Sequence, residues 1–100
     1  MTDQEKKEIQ NEIVDCLSSE KEIRKIVVFG SFVRSIDPHD VDIAIFQESS
    51  EDYLPLALKY RKKTRGIARK IPLDIFPLKK GGSPSPFLSE LSEGITIYER

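Results

Sequence analysis

Apolar residues recur along this chain in two rhythms. Ile9, Ile13, Val14 and Leu17 return at the spacing of one helix face, with Cys16 nearby and charged residues elsewhere. Thr2-Asp3-Gln4-Glu5 has the form of a capping box, in which Thr2 caps the helix and Glu5 reaches back. A helix is therefore predicted from Asp3 to about Ser18. Residues 18–25 connect onward, with Ile23 turned inward. Ile26, Val27, Val28 and Phe29 form a short β-branched apolar run, which reads as a buried central strand. Gly30-Ser31 ends it, residues 32–35 read as a short helical turn, and Asp37-Pro38-His39 is a turn signal. A second strand is expected over residues 41–46.

A second long helix follows, capped by Ser49 or Ser50 and regular from near Tyr53 or Leu54, since Pro55 fits only a first turn. Leu54, Ala57 and Leu58 are expected to face the sheet, and Gly66 places the helix end between Arg65 and Lys70. Leu73-Asp74-Ile75-Phe76, bracketed by Pro72 and Pro77, reads as a short or edge strand. Leu73 and Ile75 share one of its faces, Asp74 and Phe76 the other. A flexible loop over residues 79–86 and a short helix over 86–92, with Phe87, Leu88 and Leu91 inward, lead to Gly94 as terminator. Ile95-Thr96-Ile97-Tyr98 closes the sheet. The expected architecture is α/β: a small mixed sheet of three or four strands, helices covering one face, in one domain spanning residues 1–100.

Composition narrows the function classes. The chain has 100 residues, 38% hydrophobic and 33% charged, with a net charge of −1. No overall field recruits nucleic acid, and no apolar run approaches the ~20 residues that span a bilayer. The N-terminal segment is polar and acidic, unlike a secretory signal or transit peptide. Cys16 is the single cysteine, so no internal disulfide is possible. A cytoplasmic protein is expected, and Cys16 reads as a small core or rim residue.

The candidate chemistry lies around the first two strands. Asp40 and Asp42 are two apart and so share a face at the start of a strand. Crowded carboxylates repel, and a hard divalent cation such as Mg²⁺ removes that penalty while taking its other ligands from water and phosphate. An isolated Asp-x-Asp also suits a solvated strand entrance; the apolar strands before Gly30 and after Asp42 favour a site. A strand running into Gly30-Ser31 and a helix start leaves backbone N–H groups that suit an anionic oxygen. Arg34 follows, available to a triphosphate or to solvent. His39 reads as a turn residue facing solvent. Asp74, between apolar neighbours on a strand, is either a site carboxylate or an edge-strand residue facing water. The second helix is basic, with Lys59, Arg61, Lys62, Lys63, Arg65, Arg69 and Lys70. It reads as a solvated face, and RNA binding through Arg61 to Lys70 is a weaker reading because no aromatics are interleaved.

The order of strand, Gly30-Ser31, short helix, Asp40-Val41-Asp42, strand, and a later Asp74 resembles the DNA polymerase β-type nucleotidyltransferase superfamily. The small size resembles its minimal nucleotidyltransferase (MNT) branch, often paired with HEPN proteins. The resemblance covers nearly the whole chain. It departs at Val33, where the family commonly has alanine, and at Ser35, where it commonly has glycine. It implies a two-metal Mg²⁺ site on Asp40, Asp42 and Asp74, all three catalytic, with Gly30 and Ser31 cradling the β- and γ-phosphates of ATP or another NTP and Arg34 assisting. It further implies a HEPN-type partner, or a homodimer, that completes the pocket. The chain would then be the antitoxin of a toxin–antitoxin pair, transferring AMP to a tyrosine hydroxyl of the toxin. A different class remains open: an inactive binding module that neutralises its partner by covering it.

Overall fold

The computed structural model describes residues 1–79 and 91–100. The expected loop over 79–86 and short helix over 86–92 fall for the most part outside the described residues. Helix α1 spans Asp3–Leu17 and carries both halves of the capping box. The Thr2 hydroxyl accepts from the Glu5 N–H, and the Glu5 carboxylate accepts from the Thr2 N–H, each at 3.0 Å. Two of the N–H groups left over at a helix start are thereby satisfied. Ile9, Ile13 and Leu17 are buried, and Cys16 packs at the rim of the same cluster. Burial, and then the nearby Glu12 and Asp15, push the Cys16 thiol pKa up, which favours an unreactive packed thiol over a nucleophile.

Strand β1 spans Ile23–Phe29. It begins at Ile23 rather than Ile26, because a bulge there admits polar Arg24 and Lys25 into the strand. Arg24 Nε bonds the Glu48 carboxylate at 2.7 Å across the strand pair, a partner that the local pattern cannot reveal. After β1 come α2 (Ser31–Arg34), β2 (Val41–Gln47), α3 (Tyr53–Lys63), α4 (Arg65–Ala68), β3 (Leu73–Lys79) and β4 (Ile95–Glu99). The sheet order is β3-β2-β1-β4, with β1 antiparallel to β2 and β4, and β2 parallel to β3. The sheet is thus mixed, as expected, with four strands.

Strand alternation divides the core in two. Ile26, Val28, Val41, Ile43, Ile45 and Ile75 face the helices and pack with Ile13, Leu17, Phe32, Leu56, Tyr60 and Ile67. Val27, Phe29 and Ala44 face the other way, with Phe46, Phe76, Leu78 and Leu91 against them. The carboxylate face is this second one, since Asp42 and Asp74 alternate with the helix-facing residues of β2 and β3.

The second long helix departs from expectation in phase. Leu56, Ala57 and Tyr60 are buried, while Leu54 and Leu58 are exposed. The inward stripe continues through Thr64 and Ile67 at helical spacing. Tyr60 anchors it: its hydroxyl donates to Glu22 at 2.9 Å, and Lys59 Nζ lies 2.9 Å from the same carboxylate. Asp52, not Ser49 or Ser50, occupies the N-cap position. Ser49 instead donates its N–H and hydroxyl to the buried Gln47 side-chain oxygen, both at 2.6 Å. The helix breaks at Thr64, whose hydroxyl donates back to the Tyr60 carbonyl at 2.9 Å, a local bond that competes with helix continuation.

Candidate active site

The parallel pairing of β2 with β3 sets Asp42 directly opposite Asp74. Val41 N–H, donating to the Pro72 carbonyl at 2.9 Å, holds that register at the strand entrance. Asp40 lies in the turn just before β2, two residues from Asp42. One oxygen from each of Asp40, Asp42 and Asp74 falls within 4.8 Å of the other two. Asp40 and Asp42 are half-buried and Asp74 is exposed, so the cluster opens toward solvent at one side.

Across the sheet, Phe29 at the end of β1 pairs with Asp42. The chain leaves β1 at Gly30, which has φ 74° and ψ −149°, a conformation that L side chains rarely adopt. A Cβ at Gly30 would also collide with the Asp42 carboxylate. Backbone conformation therefore demands glycine, and a Cβ there would displace the Asp42 carboxylate from its place in the cluster. The Ser31 hydroxyl donates to Asp40 Oδ1 at 3.2 Å, so the Gly30-Ser31 turn touches two of the three carboxylates. Arg34, at the end of α2, is exposed, and its Nη1 lies 3.4 Å from Glu93 Oε2. The structure thus brings Gly30, Ser31, Asp40, Asp42 and Asp74 together and engages Arg34 with Glu93. His39 is exposed and outside the cluster.

The two departures from the family pattern are accommodated. Ser35 has φ −90° and ψ 145°, an extended conformation open to any residue, so no glycine is needed. Val33 is half-buried and packs against the helix-side core. Lys6 of α1 is a supporting residue that sequence reasoning missed: its Nζ donates to the Ser35 carbonyl at 2.6 Å, holding the loop that leads to Asp40. The two are 29 residues apart, and no local signal marks the pairing.

The donor set fits Mg²⁺. It is all-oxygen and anionic, and its exposed edge leaves room for the waters and phosphate oxygens that this ion retains. A mixed sheet that gathers three carboxylates beside a Gly-Ser turn defines a nucleotidyltransferase domain. The chain belongs to that family: the family model described as "Polymerase beta, Nucleotidyltransferase" matches residues 11–100. Among solved structures, it is similar to an MNT antitoxin complexed with a tri-AMPylated HEPN toxin of Shewanella oneidensis. That match has 19% identity and a TM-score of 0.67, over 95% of this chain and 73% of that one. A toxin–antitoxin structure with AMP-PNP matches at 21% identity and TM-score 0.67, over 91% and 73%. The toxin–antitoxin MntA-HepT matches at 18% and 0.64, over 94% and 73%. At these identities the likeness establishes the fold. No curated protein matches the chain. No helix among the described residues is long and apolar enough to cross a membrane.

Proposed function

We propose that this chain transfers AMP from ATP to a hydroxyl of a HEPN-type partner, as the antitoxin of a toxin–antitoxin pair. The observation that carries the reading is the convergence of Asp40, Asp42 and Asp74 beside a glycine that nothing larger can replace. Asp40 and Asp42 would hold Mg²⁺, with Asp74 completing the set, and the metal would supply charge neutralisation for the attacking and leaving oxygens. Gly30 lets the triphosphate approach the backbone closely, and Ser31 orients Asp40. The acceptor hydroxyl oxygen bonds to the α-phosphorus as the bond to the pyrophosphate oxygen breaks. Asp74, the solvent-facing carboxylate, takes the hydroxyl proton, and pyrophosphate leaves. Similar folds solved with an AMPylated HEPN toxin and with AMP-PNP support this chemistry.

The engagement of Arg34 by Glu93 favours a second reading, in which the chain neutralises its partner by covering it. One experiment separates the two. The chain is incubated with Mg²⁺, ATP and the product of the neighbouring gene, tested as the HEPN-type partner, and that protein is weighed by mass spectrometry. Mass gains equal to AMP, absent with Asp42→Asn and after chelation, are expected. An unmodified partner that Asp40→Asn/Asp42→Asn still neutralises would establish the covering role instead.

A further inference from the structure

Because α3 turns Leu56, Ala57 and Tyr60 inward, it leaves Tyr53, Leu54 and Leu58 exposed at 54%, 63% and 55%. Leu54 and Leu58 are four apart and so adjacent on the helix surface, while Tyr53 is exposed at the start of the helix. Contiguous exposed apolar side chains of this size mark interaction surfaces. The outward side continues into Arg61, Lys62 and Arg65, with Arg69 beyond, all exposed. Among the described residues none of these four cations has an ion-pair partner. Their neighbours Lys59 and Lys63 differ, being taken up by Glu20, Glu22 and Glu51. One helix thus carries two kinds of cation, one internally neutralised and one presented outward next to uncovered leucines. This surface lies on the helix side of the sheet, opposite the carboxylates.

We propose that the outer face of α3 docks an acidic amphipathic helix of the partner protein. Apolar side chains of that helix seat on Leu54 and Leu58, and its carboxylates meet Arg61, Lys62 and Arg65. The identity of the partner rests on the toxin–antitoxin reading above; the surface itself rests on exposure and charge. RNA fits less well, because two leucines offer nothing to a phosphate backbone and no aromatics alternate with the cations. A second copy fits less well too. Helix α1 contributes no exposed large apolar side chain, and α3 against α3 leaves both sets of cations without counterions.

The test is calorimetric titration with the product of the neighbouring gene, taken as the proposed HEPN-type partner. It compares wild type, Leu54→Asp/Leu58→Asp, Arg61→Glu/Lys62→Glu/Arg65→Glu and Asp42→Asn, with the Tm of each chain recorded. The expected result is binding by Asp42→Asn equal to wild type, and binding about ten-fold or more weaker in each α3 variant at unchanged Tm. Carboxylate-to-lysine changes on the partner's docking helix should restore affinity for the charge-reversed variant. Undiminished binding by both α3 variants overturns the surface and leaves the transfer reading standing. Absence of wild-type binding overturns the partner reading and the surface with it. A wild-type homodimer dissociated by Leu54→Asp/Leu58→Asp, or oligouridine binding lost only with charge reversal, assigns the face to another occupant and also overturns the proposal.

Discussion

On one side of β2, Val41, Ile43 and Ile45 meet the apolar stripes of α1 and α3; on the other, Asp42, Ala44 and Phe46 meet a smaller cluster around Phe29 and Phe76. The helix-side residues are fully buried and chemically uniform. The opposite side ends in three carboxylates within 4.8 Å of one another and a backbone turn open to glycine alone. A single strand serves both because its side chains alternate. The helix side supplies the burial that holds the register, and the register places groups that by themselves oppose folding. Stability and chemistry are thus separated by one sheet thickness, and substitutions should respond accordingly.

The largest effect is expected at Asp42. Asp42→Asn should lower AMP transfer by roughly 10³-fold, the scale of removing one preorganised electrostatic group. In metal-free protein its Tm should stay near that of wild type, because asparagine keeps the side chain's size and a hydrogen-bonding oxygen while one of three close like charges is gone. A large fall in Tm, measured by circular dichroism, would break the separation of the two faces. Ile45→Ala, on the helix side, should do the reverse. It opens a cavity in a fully buried site and should destabilise by about 2–5 kcal/mol, with transfer per folded molecule unchanged.

A smaller effect concerns the Tyr60–Glu22–Lys59 group that sets the phase of α3. Burial pushes the Glu22 pKa up, but hydrogen bonds from Lys59, its own backbone and Tyr60 outweigh it, and the net shift is down. A carboxyl lowered in the folded state stabilises above its ordinary value of 4.5, and the contribution is lost as pH falls through the lowered value. Burial and the Glu22 hydrogen bond push Tyr60 above its ordinary 10.0, so folding stability also declines as the phenol is forced to ionise above that pH. Tyr60→Phe should cost about 1 kcal/mol near neutrality and shrink the alkaline decline, leaving the part due to Lys59, whose pKa burial pushes down but the Glu22 hydrogen bond and charge lift above its ordinary value. Urea titrations across pH would show it, and an unaltered alkaline limb would place the sensitive group elsewhere.

The elements were readable where local chemistry decides them. The Thr2–Glu5 box, the Ile26 to Phe29 run and the Asp-x-Asp entrance to β2 each carry a complete signal within a few residues. The α3 phase is not legible locally, because Leu54/Leu58 and Leu56/Tyr60 both recur at helical spacing, and the Glu22 that accepts from the buried Tyr60 is 38 residues away. The start of β1 was obscured by Arg24 and Lys25, whose place in the strand rests on a bulge and on Glu48.

Residue types and their spacing determined, without any structure, that Asp40 and Asp42 share a face and where glycine had to stand, because strand alternation and turn conformation are local; Asp74 joined them through the family resemblance, and the β2–β3 register sets it opposite Asp42. Which face each helix presents, that Lys6 holds the Ser35 loop, and that Arg34 meets Glu93 were decided by the tertiary structure alone. Those choices compare the burial and pairing of groups distant in sequence, and only the assembled sheet, with β2 and β3 in register, brings the competing partners within reach.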